Sequence, residues 1–307
     1  MSTATTADTA DKDSMPGKDT AAAPAGNAVA EQDSWAGRQP LPVVKPRSER
    51  ALSVWAQQSV IQCKRMLIGW MRDPATTIQT LVYPAATLIM FRIVLGDSIT
   101  KATDMPSIYG TVPMVMLVAA MSGSVVSALG FKVEKATGLL GRFYTMPIHR
   151  AAGLTGRLLA EALRVVITSL FVLAVGVALG FRFWYGPAAS IAMLAIPVLF
   201  ALGFAVLVTA LATLTEGVML VSLVGIINTL LMFFNSGFVP VFAYPVWLQK
   251  TVENQPMSTA IDAMRGLSYD GPIATPLWKT AAWAIGMIVV FAYPAVRGYR
   301  RAAETGA

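Results

Sequence analysis

The chain has 307 residues and a formal net charge of +7; 55% of its residues are hydrophobic and only 13% are charged. About a quarter of the residues of a soluble domain are charged, so this composition excludes an ordinary soluble protein. Several stretches reach the length of about 20 apolar residues that a helix needs to cross a bilayer. We therefore expect an all-α, polytopic membrane protein, and its single cysteine, Cys63, excludes an internal disulfide.

The first part of the chain divides into a tail and an amphipathic segment. Residues 1–48 are rich in Ala, Thr, Asp and Pro and have few large apolar side chains, which is typical of a disordered segment. Residues 49–73 mix apolar residues with Gln, Lys and Arg, and Trp55 and Trp70 suit the headgroup layer of a membrane. We expect a disordered cytosolic tail followed by an interfacial helix.

Six apolar segments follow, and we expect each of them to be a transmembrane helix. They lie at about 75–96, 108–131, 158–180, 188–212, 218–237 and 277–295. The loop 132–157 carries five Lys or Arg residues, and three arginines follow the last span. Since cytoplasmic loops carry an excess of Lys and Arg, both segments are expected inside, with a cytosolic N-terminus and cytosolic residues 304–307.

The basic loop 132–157 contains a helical pattern of its own. Leu139, Leu140, Phe143 and Met146 recur at helical spacing, and Pro147 ends the run. This pattern predicts a short amphipathic helix on the inner face that offers a surface to a cytosolic partner.

Several polar residues within the spans have two interpretations each. Arg157, Glu161 and Arg164 share one helical face, as an interfacial ion-pair set or as a polar inner mouth for an amphiphilic substrate. Arg92 either snorkels outward or has a buried function. Asn228 and Asn235 either bridge helices or contact substrate.

Residues 238–275 form a second long polar break. Its prolines exclude one continuous helix, while Met257, Ala260, Ile261, Met264 and Leu267 predict a short amphipathic helix opened by Pro256. The apolar residues 239–248 predict a re-entrant outer segment before the last span.

Sequence motifs for other chemistry are missing. The Gly17-Lys18 pair is followed by Asp19, so it is no phosphate-binding loop. The chain has one histidine, His149, and one cysteine, which are too few ligands for most metal sites. We expect no enzyme and no bound cofactor in this chain, and an energy source on another chain.

Four stretches of the chain have a distinctive sequence. The first is Gly138-Leu-Leu-Gly-Arg-Phe-Tyr-Thr-Met-Pro147, followed by Gly156-Arg157-Leu158. The others are Gly180-Phe-Arg-Phe183, Asn235-Ser-Gly-Phe-Val-Pro240 with Tyr244-Pro-Val-Trp247, and Asn254-Gln-Pro256 through Ala263-Met-Arg-Gly266. Together they resemble the ABC-2 type transport permeases, and within them the daunorubicin-resistance (Drr) branch, close to actinobacterial and mycobacterial Drr C-type permeases. The resemblance covers about residues 50–303.

The resemblance implies the permease subunit of an ATP-driven exporter of lipids or hydrophobic drugs in the cytoplasmic membrane. A second permease, identical or related, would pair with it, and cytosolic ATP-binding subunits would hold ATP and magnesium. The basic loop would then be the coupling helix. The coupling contacts implied by the resemblance are Glu134, Lys135, Leu139, Leu140, Arg142, Phe143, Met146, Pro147, Thr215 and Glu216.

Three alternatives stay open at this point. An exporter of polysaccharide or teichoic acid would line its path with aromatic residues, and the spans here are richer in Leu, Val, Ala and Met. A lipid-modifying enzyme would need His or paired acids at a membrane face. A structural anchor would need neither the coupling loop nor the re-entrant segment.

Overall fold

The structure is a computed structural model, and it describes residues 52–103, 105–146, 148–149 and 151–304, except for the side chains of residues 102, 103 and 144. The predictions for the tail 1–48, for Pro147 and for residues 305–307 lie outside this part of the chain.

The described residues form ten α-helices and one 3-10 helix, and none of them lies in a strand. The helices are α1 (Leu52–Arg72), α2 (Pro74–Thr103), α3 (Ile108–Ala136), α4 (Leu139–Thr145), α5 (Ala152–Ala178), α6 (Pro187–Leu214), α7 (Gly217–Phe233), α8 (Val246–Asn254), α9 (Pro256–Ser268) and α10 (Ala274–Glu304), and the 3-10 helix is Val241–Ala243.

Five helices in this part of the chain, α2, α3, α5, α6 and α10, are long and apolar enough to cross a membrane. This confirms the prediction of an all-α polytopic membrane protein. The fifth expected span, 218–237, corresponds to α7, which is also apolar but has only 17 residues. It ends at Phe233 instead of continuing to residue 237, because the Asn235 amide donates to the carbonyls of Leu231 and Met232 while its oxygen accepts from Gly237 N at 2.7 Å.

The centre of the bundle is formed by α3 and α6. Helix α3 contacts α2, α5, α6, α7 and α9, and α10 packs along α6. The fully buried side chains of α3 and α6 include Met121, Phe131, Phe200 and Phe204. The apolar patterns of the spans therefore produce one large core around these two helices and two small apolar clusters beside it, one with Ala120 and Ala201 and the other with Val206 and Ala295.

The bundle has two distinct ends. At the end where α3 finishes and α5 begins, here called the basic end, the rings of Phe131 and Tyr299 stack at 5.4 Å between centroids. At the opposite end, Tyr109 stacks on Tyr269 at 4.3 Å, and Trp184 Nε1 donates to the Tyr109 hydroxyl at 2.9 Å. The amphipathic helix expected within 238–275 is α9, whose apolar face is buried at this opposite end.

Helix α1 packs closely on α5 at the basic end. A Cβ atom added to Gly156 would lie 2.6 Å from Gln62 Cβ and 2.8 Å from the Ser59 carbonyl oxygen. The Ser59 and Thr155 hydroxyls are 2.7 Å apart and hydrogen-bonded in the same contact. The absence of a side chain at Gly156 therefore lets the two helices approach.

We expect Gly156→Ala to destabilise the protein by about 1–3 kcal/mol, the usual cost of overpacking a well-packed contact. Gly69→Ala on α1 is the matched control, because no atom lies within 4 Å of a Cβ added there. That change should be neutral or slightly stabilising, since alanine favours helix over glycine. Thermal unfolding in detergent measures the stability of both variants. Equal unfolding midpoints would contradict the close contact between α1 and α5.

Candidate functional site

Five charged residues meet at the basic end, and we call them the buried charge cluster: Arg65, Glu134, Arg157, Glu161 and Arg164. Glu134 lies at its centre. Its Oε1 accepts from Arg65 Nη2 at 2.6 Å, and its Oε2 pairs with Arg157, which also donates to the Ser127 carbonyl at 2.8 Å. One carboxylate of α3 therefore joins α1 to α5.

The second half of the cluster lies on α5. Glu161 and Arg164 form an ion pair and are only 2% and 7% exposed. Ser124 Oγ of α3 donates to Glu161 Oε1 at 2.9 Å. The structure therefore places Arg157, Glu161 and Arg164 on one face of α5, where each has an ionic partner.

The cluster lines a cavity of about 500 Å³, which we call the polar cavity. Its walls come from α1, the start of α2, the basic end of α3 and the first turns of α5. Trp70, Asp73, Thr76 and Ser127 also line it. This volume falls in the range of about 300–1,000 Å³ of small-molecule sites.

A second, smaller cavity of about 130 Å³ lies between α2 and α3, and we call it the α2–α3 cavity. Its lining is mostly apolar and includes Phe91, Met114 and Val115. Val126 lines both cavities, and Gly123 in its wall lies against the Arg164 guanidinium. A charged compartment and an apolar one therefore adjoin each other along α3.

The coupling residues implied by the resemblance divide into exposed and buried ones. Lys135, Arg142 and Met146 are exposed on or beside α4. Leu140, in contrast, is only 2% exposed and belongs to the core, while the Arg65 guanidinium lies 4.9 Å from the centroid of the Phe143 ring. Leu140 and Phe143 therefore hold α4 to the bundle, and Leu139 is half-buried beside them.

The turn between α6 and α7 lies next to the end of α3. Lys132 Nζ donates to the Thr215 carbonyl oxygen. Thr215 is half-buried and Glu216 is exposed. The loop around α4 and the Thr215-Glu216 turn, separated by about 70 residues in the chain, therefore lie at the same end of the bundle. The exposed residues of the two segments, Lys135, Arg142, Met146 and Glu216, are here called the coupling surface.

The sequence matches the model of the ABC-2 type transporter family over residues 57–269. The chain belongs to this family. It is 38% identical over 261 residues, 85% of this chain and 95% of the relative, to the probable doxorubicin resistance ABC transporter permease protein DrrC of Mycobacterium tuberculosis. It is 26% identical over 261 residues, 83% of this chain and 89% of the relative, to the daunorubicin resistance ABC transporter permease protein DrrB1 of Streptomyces coeruleorubidus. The resemblance to the Drr branch is confirmed.

The two asparagines expected in the path of this ABC-2 permease lie in different places. Asn235 is fully buried beyond the end of α7, and its amide is occupied by backbone hydrogen bonds. Asn228 is half-buried on α7, and its Oδ1 is buried without a hydrogen-bond partner among the residues that the structure describes. Neither residue lines the two cavities described above.

The opposite end of the permease has its own polar contact. Asp262 Oδ1 accepts from Ser236 Oγ at 2.8 Å, and Arg265 Nη2 donates to the Ser236 carbonyl at 2.7 Å. Burial raises the pKa of the Asp262 carboxyl, although Arg265 and the Ser236 hydroxyl favour its charged form. These contacts fix α9 to the segment that follows α7. Arg92 is partly exposed near this end, with its Nη1 4.0 Å from Asp97.

Some residues of the site cannot be recognised as functional candidates from a single sequence. Arg65 and Glu134 are 69 positions apart, and Gly123 is one of several small residues of α3. In the sequence, Asp73 stands only as the last residue of the amphipathic segment 49–73, before Pro74. Its carboxylate accepts from the Thr76 hydroxyl and backbone N–H, and these hydrogen bonds hold the pKa of the Asp73 carboxyl below its usual range.

Proposed function

We propose that this chain is the permease subunit of an ATP-driven exporter that moves amphiphilic lipids or hydrophobic drugs out of the cytoplasmic membrane. The observation that carries the proposal is the junction of the polar cavity with the α2–α3 cavity. An amphiphile has a polar head and an apolar body, and the two compartments offer matching surroundings along one helix.

The names of the relatives support a drug-like cargo. DrrC and DrrB1 are named for resistance to doxorubicin and daunorubicin. A cargo of this kind would reach the polar cavity from the inner leaflet, because α1 and Trp70 suit the headgroup layer. Arg157, Glu161 and Arg164 would form the polar mouth of the path.

The energy would come from partner subunits. An ABC permease works with an ATP-binding subunit, so ATP and magnesium would lie there, and this chain would hold no cofactor. The coupling surface would contact that subunit, with both termini in the cytosol. A second permease, identical or related, would complete the transporter.

We expect the double variant Lys135→Glu/Arg142→Glu to lose its ATP-binding subunit. Two exposed cations of the coupling surface become anions, and like-charge contacts at an interface cost several kcal/mol. The measurement is co-purification from native membranes in mild detergent, with mass spectrometry of the bound proteins and the ATPase activity of the eluate. Recovery of the ATP-binding subunit should fall by at least about tenfold.

The control is Lys101→Glu/Lys250→Glu, which makes the same charge change at exposed residues of the opposite end. It should retain the subunit. If no ATP-binding subunit accompanies the well-folded natural protein, the exporter assignment fails. If the ATP-binding subunit stays with the coupling-surface variant but is lost from the control, the subunit binds at the opposite end of the bundle and the proposed coupling surface is wrong.

A further inference from the structure

We propose that the polar cavity binds the phosphate group of a phospholipid from the inner leaflet, and that Arg65 contacts this phosphate directly. The inference rests on the proposed function, since it names the headgroup chemistry that the same cavity would admit.

The two buried carboxylates that line the polar cavity have different numbers of arginine partners. Glu161 pairs with Arg164, whereas Glu134 alone serves both Arg65 and Arg157. Two guanidinium groups therefore share one carboxylate. The Arg65 side chain is 36% exposed, whereas those of Arg157 and Arg164 are 6% and 8% exposed. Arg65 is thus the arginine of the cluster that an entering anion can reach.

Several hydrogen-bond donors in the walls of the polar cavity lack an acceptor among the described residues. Arg65 Nε, Trp70 Nε1 and Arg157 Nε are buried and have no hydrogen-bond partner within the described residues. Buried donors in proteins are almost always paired, so an acceptor-rich group is the chemistry that these walls lack. A phosphate supplies several acceptor oxygens, and the planar guanidinium fork matches it in geometry.

The remaining acid of the lining, Asp73, is exposed, and hydrogen bonds from Thr76 hold its carboxylate. It therefore lies at the rim, apart from the buried arginines. A phosphate would enter on the arginine side, and an amine or hydroxyl of the same headgroup would lie on the Asp73 side. This accounts for both signs of charge around the cavity.

The position of the cavity indicates a lipid as the source of the phosphate. Its wall includes the last part of α1, with Trp70, next to the first turn of the first span. Amphipathic helices with tryptophan lie at headgroup level. The adjoining α2–α3 cavity, lined by Phe91 and Met114, is a suitable compartment for hydrocarbon, which free phosphate would not need.

The test is native mass spectrometry of the purified full-length chain in a non-ionic detergent. It would be titrated with dioleoylphosphatidylglycerol, with dioleoylphosphatidylethanolamine, and with dioleoylglycerol, which has the same chains and no phosphate. We expect both phospholipids to bind at least about tenfold more tightly than dioleoylglycerol, as befits charge-assisted hydrogen bonds. Arg65→Gln should remove this preference, and Arg65→Lys should retain part of it.

Arg297→Gln is the matched control, since Arg297 is an exposed arginine of α10 outside the cavity. It should bind phospholipid like the natural protein. Equal affinity for dioleoylglycerol and the phospholipids, or an unchanged preference in Arg65→Gln, would overturn the phosphate site. If inorganic phosphate at low millimolar concentration competes as well as the lipid does, the lipid source is overturned. ATP-dependent transport of an amphiphile without any phosphate preference would refute this headgroup assignment alone, whereas lack of ATP-dependent transport of any amphiphile would refute the proposed function.

Discussion

Replacing Glu161 by leucine is expected to destabilise the folded permease by about 3–5 kcal/mol, the cost of removing one partner from a buried ion pair. Glu161 is 2% exposed, and its partner Arg164 is 7% exposed. Without the carboxylate, the Arg164 guanidinium would stay buried as an unpaired charge, and the Ser124 hydroxyl would keep only its longer hydrogen bond to the Ala120 carbonyl, at 3.3 Å. Thermal unfolding in detergent and the yield of folded protein from membranes measure the effect.

The double variant Glu161→Leu/Arg164→Leu distinguishes an unpaired charge from simple loss of packing. Replacing both partners of a buried ion pair by apolar residues is often neutral or stabilising. The double variant should therefore recover most of the stability that the single variant loses. Equal stability of the natural protein and Glu161→Leu would mean that Arg164 is hydrated, which is incompatible with its burial.

The helices of this protein are largely predictable from sequence because hydropathy is a local property. The spans expected at 108–131 and 188–212 lie within α3 and α6. The ends are less predictable, since a helix does not stop where its apolar residues stop. Helix α3 continues to Ala136 because Glu134 finds ionic partners in α1 and α5, and α10 continues to Glu304, whose carboxylate accepts from Arg300 at 2.9 Å.

The candidate site is predictable only in part. The spacing of Arg157, Glu161 and Arg164 is enough to place them on one helical face, and the structure gives each of them an ionic partner. Arg65 and Ser124 complete the cluster from other helices, and no pattern within a single sequence connects residues so far apart. Leu140 shows a different limit of prediction from sequence. Its helical spacing indicates an apolar face of α4, but the spacing does not show whether that face packs on the bundle or binds a partner.

Gly123→Val is expected to reduce transport by at least about tenfold, the effect of a misplaced group at a site that needs correct geometry. A Cβ atom at this position would lie 2.5 Å from Arg164 Nη2 and 2.8 Å from its Cζ. The guanidinium is held by Glu161, so it cannot move away without weakening the buried pair. The displaced group and the new side chain would obstruct the junction between the polar cavity and the α2–α3 cavity, which an amphiphile would cross on the proposed path.

The measurement is ATP-dependent uptake of a fluorescent amphiphile into inverted membrane vesicles, expressed per amount of folded complex. Gly225→Val is the matched control, because it makes the same change in an apolar helix and a Cβ added there meets no atom within 4 Å. The ATP-binding subunit should co-purify with both variants, since neither glycine belongs to the coupling surface. Normal uptake by Gly123→Val would show that cargo does not cross this junction. Loss of uptake in both variants would instead indicate a general sensitivity of the spans to bulk, and the path along α3 would lose its support.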